Sequence, residues 1–205
     1  MKIKLKSILK VLGFVILLLY SLLFILQATR YYTFQDEILG RFLNVKWWLI
    51  GHISGGILAL LIGPFQFISK FKNKYNKLHK KLGKTYLIAI LISGISSTVL
   101  AWTAALDIHW TWGFSLQILA VVWVISSYMA YISIRKKRIQ QHKEWMIRSY
   151  IITLAFVLFR MFNDITLMAG LGTFIERAPT IVWASWSIPL FFTEIVFQLK
   201  KSIDY

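Results

Sequence analysis

Long apolar segments, separated by short basic or aromatic segments, make up most of this chain. Each segment has roughly 20 residues, which is the length that an α-helix needs to cross the hydrocarbon core of a bilayer. We therefore expect an all-α integral membrane protein that forms one transmembrane domain over residues 1–205, with the second to fifth helices as a central four-helix bundle. The pattern places the six transmembrane helices at about residues 8–26, 50–70, 85–105, 114–134, 149–169 and 180–199.

Composition and charge agree with this pattern. The chain is 58% hydrophobic and carries a formal net charge of +16. Of its 24 basic residues, 19 fall on one side of the predicted membrane, in residues 1–10, 70–84, 135–148 and 200–201. By the positive-inside rule both termini are expected in the cytoplasm, in a multi-pass protein of the inner cell membrane. The basic residues on that side are expected to contact anionic lipids. Their distribution indicates the membrane topology rather than nucleic-acid binding.

Several kinds of chemistry are absent from the sequence. The chain has no cysteine, which excludes disulfides and thiolate ligands. It contains no P-loop, no GxGxxG, no GxSxG and no HExxH motif, so nucleotide, nucleophile-elbow and zinc-protease sites find no support. Whether the protein is an enzyme stays open at this point.

The second predicted helix carries a polar stripe. At helical spacing its residues are His52, Gly56, Ala59, Gly63 and Gln66. Unpaired polar groups are costly in hydrocarbon, so this stripe is expected to face the interior of the bundle. We expect a ligand at its cytoplasmic end, near Gln66, rather than at His52.

The fifth predicted helix has a second stripe. A charge at membrane depth is costly, and Asp164 lies one turn from Arg160 as its local partner. The pair is either a structural ion pair, or a functional group that anchors an anion or passes a proton. The stripe as a whole is His142, Met146, Ser149, Thr153, Phe156, Arg160 and Asp164.

The four histidines lie near the starts of four predicted helices. Three of them have glycine four residues later, as in His52 with Gly56 and His79 with Gly83, which leaves room for a flat ring. Two histidines from different helices are a common way to hold haem b. The pairs would be His79 with His142, and His52 with His109. Basic residues nearby would meet the propionates, namely Lys80, Lys81 and Arg148.

A set of motifs runs through the middle of the chain. The motifs are His52, Gly63-Pro64-Phe65-Gln66-Phe67, His79-x-x-x-Gly83-x-x-Tyr86, His142-x-x-Trp145-Met146-x-Arg148-Ser149-Tyr150 and Arg160. The combined set resembles the bacterial membrane-protein family called domain of unknown function 2306, which implies a multi-span inner-membrane protein without naming an activity. A weaker resemblance is to two-haem transmembrane cytochromes b, which implies that the four histidines on the central helices are haem ligands.

These patterns leave three hypotheses open. The first is a b-type haem protein that transfers electrons between a carrier such as a quinone and a redox partner. The second is a cofactor-free protein that binds a lipid, a quinone or a small amphiphile in a polar pocket inside the bundle, with Gln66 and Arg160 as contacts. The third is an accessory subunit of a membrane complex.

Overall fold

The computed structural model describes residues 2–203, and within that range it consists of helices and their connections, without a β-strand. Short 3-10 turns flank α2, and a π-helical segment, Ala101–Ala105, extends α5. The α-helices are α1 (Lys2–Thr29), α2 (Asp36–Leu39), α3 (Lys46–Phe67), α4 (Ser69–Lys74), α5 (Asn76–Leu100), α6 (Trp110–Arg135), α7 (Ile139–Thr153), α8 (Ala155–Met168) and α9 (Phe174–Ile203).

Five helical segments of the described chain are long and apolar enough to cross a membrane, and α7 with α8 makes a sixth span if the bent pair counts as one. The predicted all-α fold is therefore confirmed, and the number of spans in the described chain is five, or six with the bent pair counted as one. The five segments are Val11–Thr33, Asp36–Phe67, Asn76–Ala105, Trp110–Arg135 and Phe174–Ser202. We call the end of the bundle that carries the loops near residues 70–84 and 135–148 the basic end.

The fifth span is bent by 41° between α7 and α8, whereas the sequence predicted a continuous helix over 149–169. There is no proline or glycine at the bend. Instead, the hydroxyl of Thr153 donates to the carbonyl of Ser149 at 2.9 Å, and the Leu154 N–H bonds to the carbonyls of both Tyr150 and Ile151. Such back-bonding by threonine bends helices, which accounts for the break at Leu154.

Helices α3 and α5 pack closely because glycines remove side chains at their contact. A Cβ atom on Gly55 would collide with the backbone carbonyl of Ala89, and one on Gly51 would lie 2.8 Å from the Ser96 hydroxyl. Further along α3, Gly63 accommodates the ring of Tyr150 from α7. These close approaches fix α3 against α5 and α7, and thereby set the space that remains between the helices.

Ion pairs join α7 to α9 at the basic end. The guanidinium of Arg148 donates two hydrogen bonds to the carboxylate of Glu194, at 2.6 and 2.9 Å. On the other side of the cluster, Lys201 lies 3.6 Å from the carboxylate of Glu144, which is itself buried. The last spanning helix is thus tied to the bundle by a bidentate charge pair.

Helix α1 lies at the periphery of the bundle. None of the residues in its apolar window is buried, and it packs chiefly against α8. An apolar helix of this kind is satisfied by lipid rather than by protein, so α1 contacts the bilayer over most of its surface.

Candidate functional site

An apolar cavity of about 230 Å³ lies in the half of the bundle away from the basic end. Its walls come from α1, α3, α5, α6 and the bend between α7 and α8. Most of the lining is aliphatic or aromatic, including Leu60, Leu116, Trp123 and Phe156, and His52 is the one ionisable side chain among the lining residues. Thr153 and Phe156, on either side of the bend, are both part of this lining.

A wider space of about 770 Å³ adjoins this cavity and leads towards the end opposite the basic end. We call it the vestibule. It shares lining residues with the cavity, among them Phe24, Leu49, His52 and Phe156, so the two spaces adjoin along a common wall. The vestibule differs by its polar residues, which are Gln27, Arg30, Glu37 and Arg160. The lining therefore changes from polar in the vestibule to apolar in the cavity.

His52 lies where the vestibule meets the cavity, with its ring fixed on two sides. Its Nδ1 lies 3.2 Å from the backbone carbonyl oxygen of Ser93 and 3.0 Å from the Ser93 hydroxyl. That hydroxyl in turn lies 2.8 Å from the carbonyl oxygen of His52. The ring of Phe156 packs edge-on, with 6.3 Å between centroids. The ring nitrogen on the far side, Nε2, has no hydrogen-bond partner among the side chains and backbone groups that the structure describes.

A network of buried hydrogen bonds forms the floor of the cavity. The indole N–H of Trp123 donates to the Thr153 hydroxyl at 2.9 Å. The hydroxyl of Tyr86 bonds to Thr153 at 3.1 Å and to Ser149 at 2.9 Å, and Ser127 bonds to Ser149 at 2.8 Å. Each of these polar groups is therefore paired, so the network holds α5, α6 and α7 together and closes the cavity towards the basic end.

Several residues predicted from the two stripes contribute to this space. Gly56 lines the cavity, and a Cβ atom added there would find no heavy atom closer than 3.9 Å. Thr153 lines it from the bend, and Arg160 lines the vestibule. Asp164 lies 3.6 Å from Arg160, in the pairing that the spacing suggested. Met146 is buried below the floor, in the apolar core.

His79 and His142 form a separate group at the basic end. The Nδ1 of His142 bonds to the backbone carbonyl of Ala130 at 2.9 Å, which leaves its Nε2 available. His79 is close enough to His142 for a positive charge on one imidazole ring to repel a positive charge on the other. The Nδ1 of His79 is buried and has no hydrogen-bond partner among the described residues.

The surroundings of this group differ from the expected ones. The side-chain amide of Gln66 occupies the space above Gly83, where a Cβ atom would lie 3.1 Å from its oxygen, so this glycine accommodates glutamine. Arg148 is bound to Glu194. The nitrogen of Gln66 is buried without a partner in the described chain.

His109 does not line the cavity or the vestibule that His52 lines. It is the exposed N-cap of α6, where its Nδ1 accepts a hydrogen bond from the Thr111 N–H at 3.3 Å. The structure therefore does not bring His52 and His109 to one space.

Two important contacts of the site were not predicted as such. Ser93 was not among the predicted site residues, yet it fixes the orientation of His52. Trp123 was not among them either. Its role follows from its position opposite Thr153, which sequence spacing within one helix does not reveal.

The fold and the cavity define a multi-pass helical membrane protein with a bent fifth span and an amphipathic internal space beside His52. The chain belongs to the predicted membrane protein family DUF2306, domain of unknown function 2306, whose model matches residues 49–197. The family resemblance of the motifs is thus confirmed. No curated protein and no solved structure matches the chain.

Proposed function

We propose that the protein binds a small amphiphilic molecule, of the size of a single lipid chain or a quinone-like ring, in the cavity beside His52. The observation that carries the proposal is the pair of adjoining spaces, an apolar cavity and a vestibule with polar residues, which share the wall around His52. An amphiphile matches this gradient if its apolar part enters the cavity and its polar part stays among Gln27, Arg30, Glu37 and Arg160.

The size of the cavity supports this proposal. An apolar cavity of roughly 150 Å³ stays dry and holds a molecule the size of benzene. The cavity beside His52 is larger, at about 230 Å³, and its lining is mostly apolar. Empty space of this kind costs packing energy, and a ligand recovers that energy by filling it.

Gly56→Leu is expected to abolish ligand binding without unfolding the protein. Because no heavy atom lies within 3.9 Å of a Cβ at this position, the leucine side chain extends into the cavity and fills it. Leucine also favours the helix by roughly 0.5–1 kcal/mol over glycine. We expect at least a tenfold lower affinity for a co-purified or added amphiphile, measured by mass spectrometry of extracts and by tryptophan fluorescence, with an unchanged or higher unfolding temperature.

The matched control is Gly13→Leu, at a glycine in α1 that has no neighbouring heavy atom within 4 Å. This variant makes the same chemical change outside the cavity and should bind like the wild type. Equal binding by the wild type and Gly56→Leu would refute the proposed site.

A second candidate function rests on the histidines at the basic end. The support for bis-His ligation of haem b is that Nδ1 of His142 is held by the carbonyl of Ala130, as a ligating histidine is held by its outer partner, and that Nδ1 of His79 is buried without a partner in the described chain. A haem ring beside Gly83 would require Gln66 to move, because the amide of Gln66 occupies that space. His79 and His142 would hold the group, and Met146 would lie in the apolar core beside them. Haem b, when bound, supplies one-electron transfer.

Protein purified from a haem-replete host tests this second candidate. A bis-His site predicts a Soret band and an α band that sharpens on reduction with dithionite. Both bands should be lost in His142→Leu and kept in His109→Leu, since His109 caps α6 at the other end of the bundle. Absence of both bands from the wild-type protein would exclude the haem hypothesis.

We also propose an inner-membrane location with the basic end, and therefore both termini, in the cytoplasm, where the basic loops contact anionic lipids. The support is the charge asymmetry of the loops. Because the chain has no cysteine, single cysteines report topology cleanly. In intact cells, Leu171→Cys should react with an impermeant maleimide and Lys137→Cys should not; the reverse labelling would invert the topology.

A further inference from the structure

The hydrogen bonds around His52 determine which of its ring nitrogens carries the proton. The backbone carbonyl oxygen of Ser93 can only accept a hydrogen bond, and it lies 3.2 Å from Nδ1 of His52. The hydroxyl of Ser93 donates its proton to the carbonyl of His52 at 2.8 Å, so its oxygen also faces Nδ1 as an acceptor. Nδ1 is therefore the protonated nitrogen.

The other nitrogen of the ring, Nε2, is then a hydrogen-bond acceptor. A neutral imidazole carries one N–H and one lone pair, and an apolar wall favours the neutral ring. Since Nδ1 is directed at Ser93 and the ring lines both the cavity and the vestibule, the lone pair of Nε2 belongs to the ligand space.

The two hydroxyl side chains of the cavity wall already donate to backbone carbonyls. Thr153 accepts from Trp123 at 2.9 Å and donates to the carbonyl of Ser149 at 2.9 Å. The hydroxyl of Ser97 donates to the carbonyl of Gly94 at 2.9 Å. Among the side chains that line the cavity, His52 thus offers a ring nitrogen as an acceptor, and the oxygen of Ser97 keeps its lone pairs as a second one. The indole N–H of Trp123 is engaged by Thr153, and the indole N–H of Trp112 can only donate.

We infer that His52 selects a ligand that carries a hydroxyl, such as a phenol or a hydroquinone, over an otherwise equal molecule that can only accept hydrogen bonds. This inference rests on the proposed function and specifies its ligand class. The hydroxyl lies at the junction of vestibule and cavity, where it donates to Nε2, and the apolar part of the ligand lies against Leu60, Leu116 and Trp123. A ligand without the donor leaves a buried acceptor unpaired.

A matched pair of probes tests the inference. These are 4-butylphenol and its methyl ether, 4-butylanisole, which differ in the presence of the donor. With delipidated protein in detergent, affinities are measured by the change in tryptophan fluorescence, because Trp112 and Trp123 line the cavity. The wild type should bind the phenol about tenfold more tightly than the ether, which is the scale of leaving one buried acceptor unpaired.

His52→Phe removes the acceptor and keeps a flat ring. In this variant the ratio of the two affinities should fall to about one, with the affinity for the ether nearly unchanged. Equal affinities in the wild type would overturn the inference and leave the proposed function intact, and this measurement needs no variant. A ratio that persists in His52→Phe would overturn the assignment to His52. Failure of both probes to bind the wild type would overturn the proposed function itself.

Discussion

Gly55→Ala should abolish the folded state under conditions in which the wild type is stable. The added methyl group would collide with the backbone carbonyl of Ala89 and approach the Cβ of Ser93 to 2.8 Å. Neither a backbone carbonyl nor a Cβ atom can turn aside, so α3 and α5 must separate. Overpacking typically costs about 1–3 kcal/mol, and a clash with rigid backbone belongs at or above the top of that range. The measurement is the unfolding temperature and the monodisperse yield in detergent.

The neighbouring glycine supplies the control for this experiment. Gly56→Ala makes the same change one residue later, where the nearest heavy atom is the Ser93 hydroxyl at 3.9 Å. This variant should be as stable as the wild type or slightly more stable, since alanine favours the helix. Equal unfolding temperatures for the two variants would show that α3 and α5 are not in the close contact described above.

Arg148→Met is expected to cost about 2 kcal/mol of unfolding free energy. Arg148 donates two short hydrogen bonds to Glu194 and packs over the rings of Trp145 and Phe197, at 4.6 and 4.9 Å from their centroids. Its side chain is only 14% exposed. Methionine fills the space but leaves Glu194 without its partner. The cost stays below that of a fully buried pair because the Glu194 side chain is 42% exposed and reaches water.

The pair at the other end of the bundle is the matched control. Arg160 and Asp164 are 44% and 34% exposed and 3.6 Å apart, so Arg160→Met should change stability by less than about 1 kcal/mol. The measurement is unfolding by heat or denaturant in the same detergent, with Glu194→Gln added to complete a double-mutant cycle. If Arg148 and Glu194 prove energetically independent in that cycle, the bidentate pair does not hold α9 to the bundle.

The architecture could be predicted because hydropathy and charge act along the chain. Lengths of apolar segments require no knowledge of tertiary contacts, and they led to the predicted spans, while the short motifs led to the family. The bend at Leu154 could not be predicted in this way, because no proline or glycine marks it. It depends on the hydroxyl of Thr153, which donates to the carbonyl of Ser149 within the helix and accepts a hydrogen bond from the indole N–H of Trp123 in α6.

The site was only partly predictable for a related reason. Periodicity showed that His52, Gly56 and Gln66 share one face, but it does not tell which part of the face stays open. The structure fills the Gln66 end with packing against Gly83 and leaves the space beside Gly56 open, opposite to the expected preference for the cytoplasmic end. Likewise, the sequence suggested that Arg148 would contact a haem propionate, whereas in the fold its guanidinium is bound to the carboxylate of Glu194.

The wall of the cavity comes from two parts of the chain, because the peripheral helix α1 contributes to it. His52, Gly56 and Thr153 lie within residues 49–197, the part that defines the family. Phe24 and Ala28 of α1 and Phe42 of the following segment complete the wall, and all three precede that part. The cavity is thus built from the part that the family model matches together with a wall that the preceding residues supply. A substitution at Phe24, Ala28 or Phe42 would therefore change the shape of the cavity without altering any residue of the matched part.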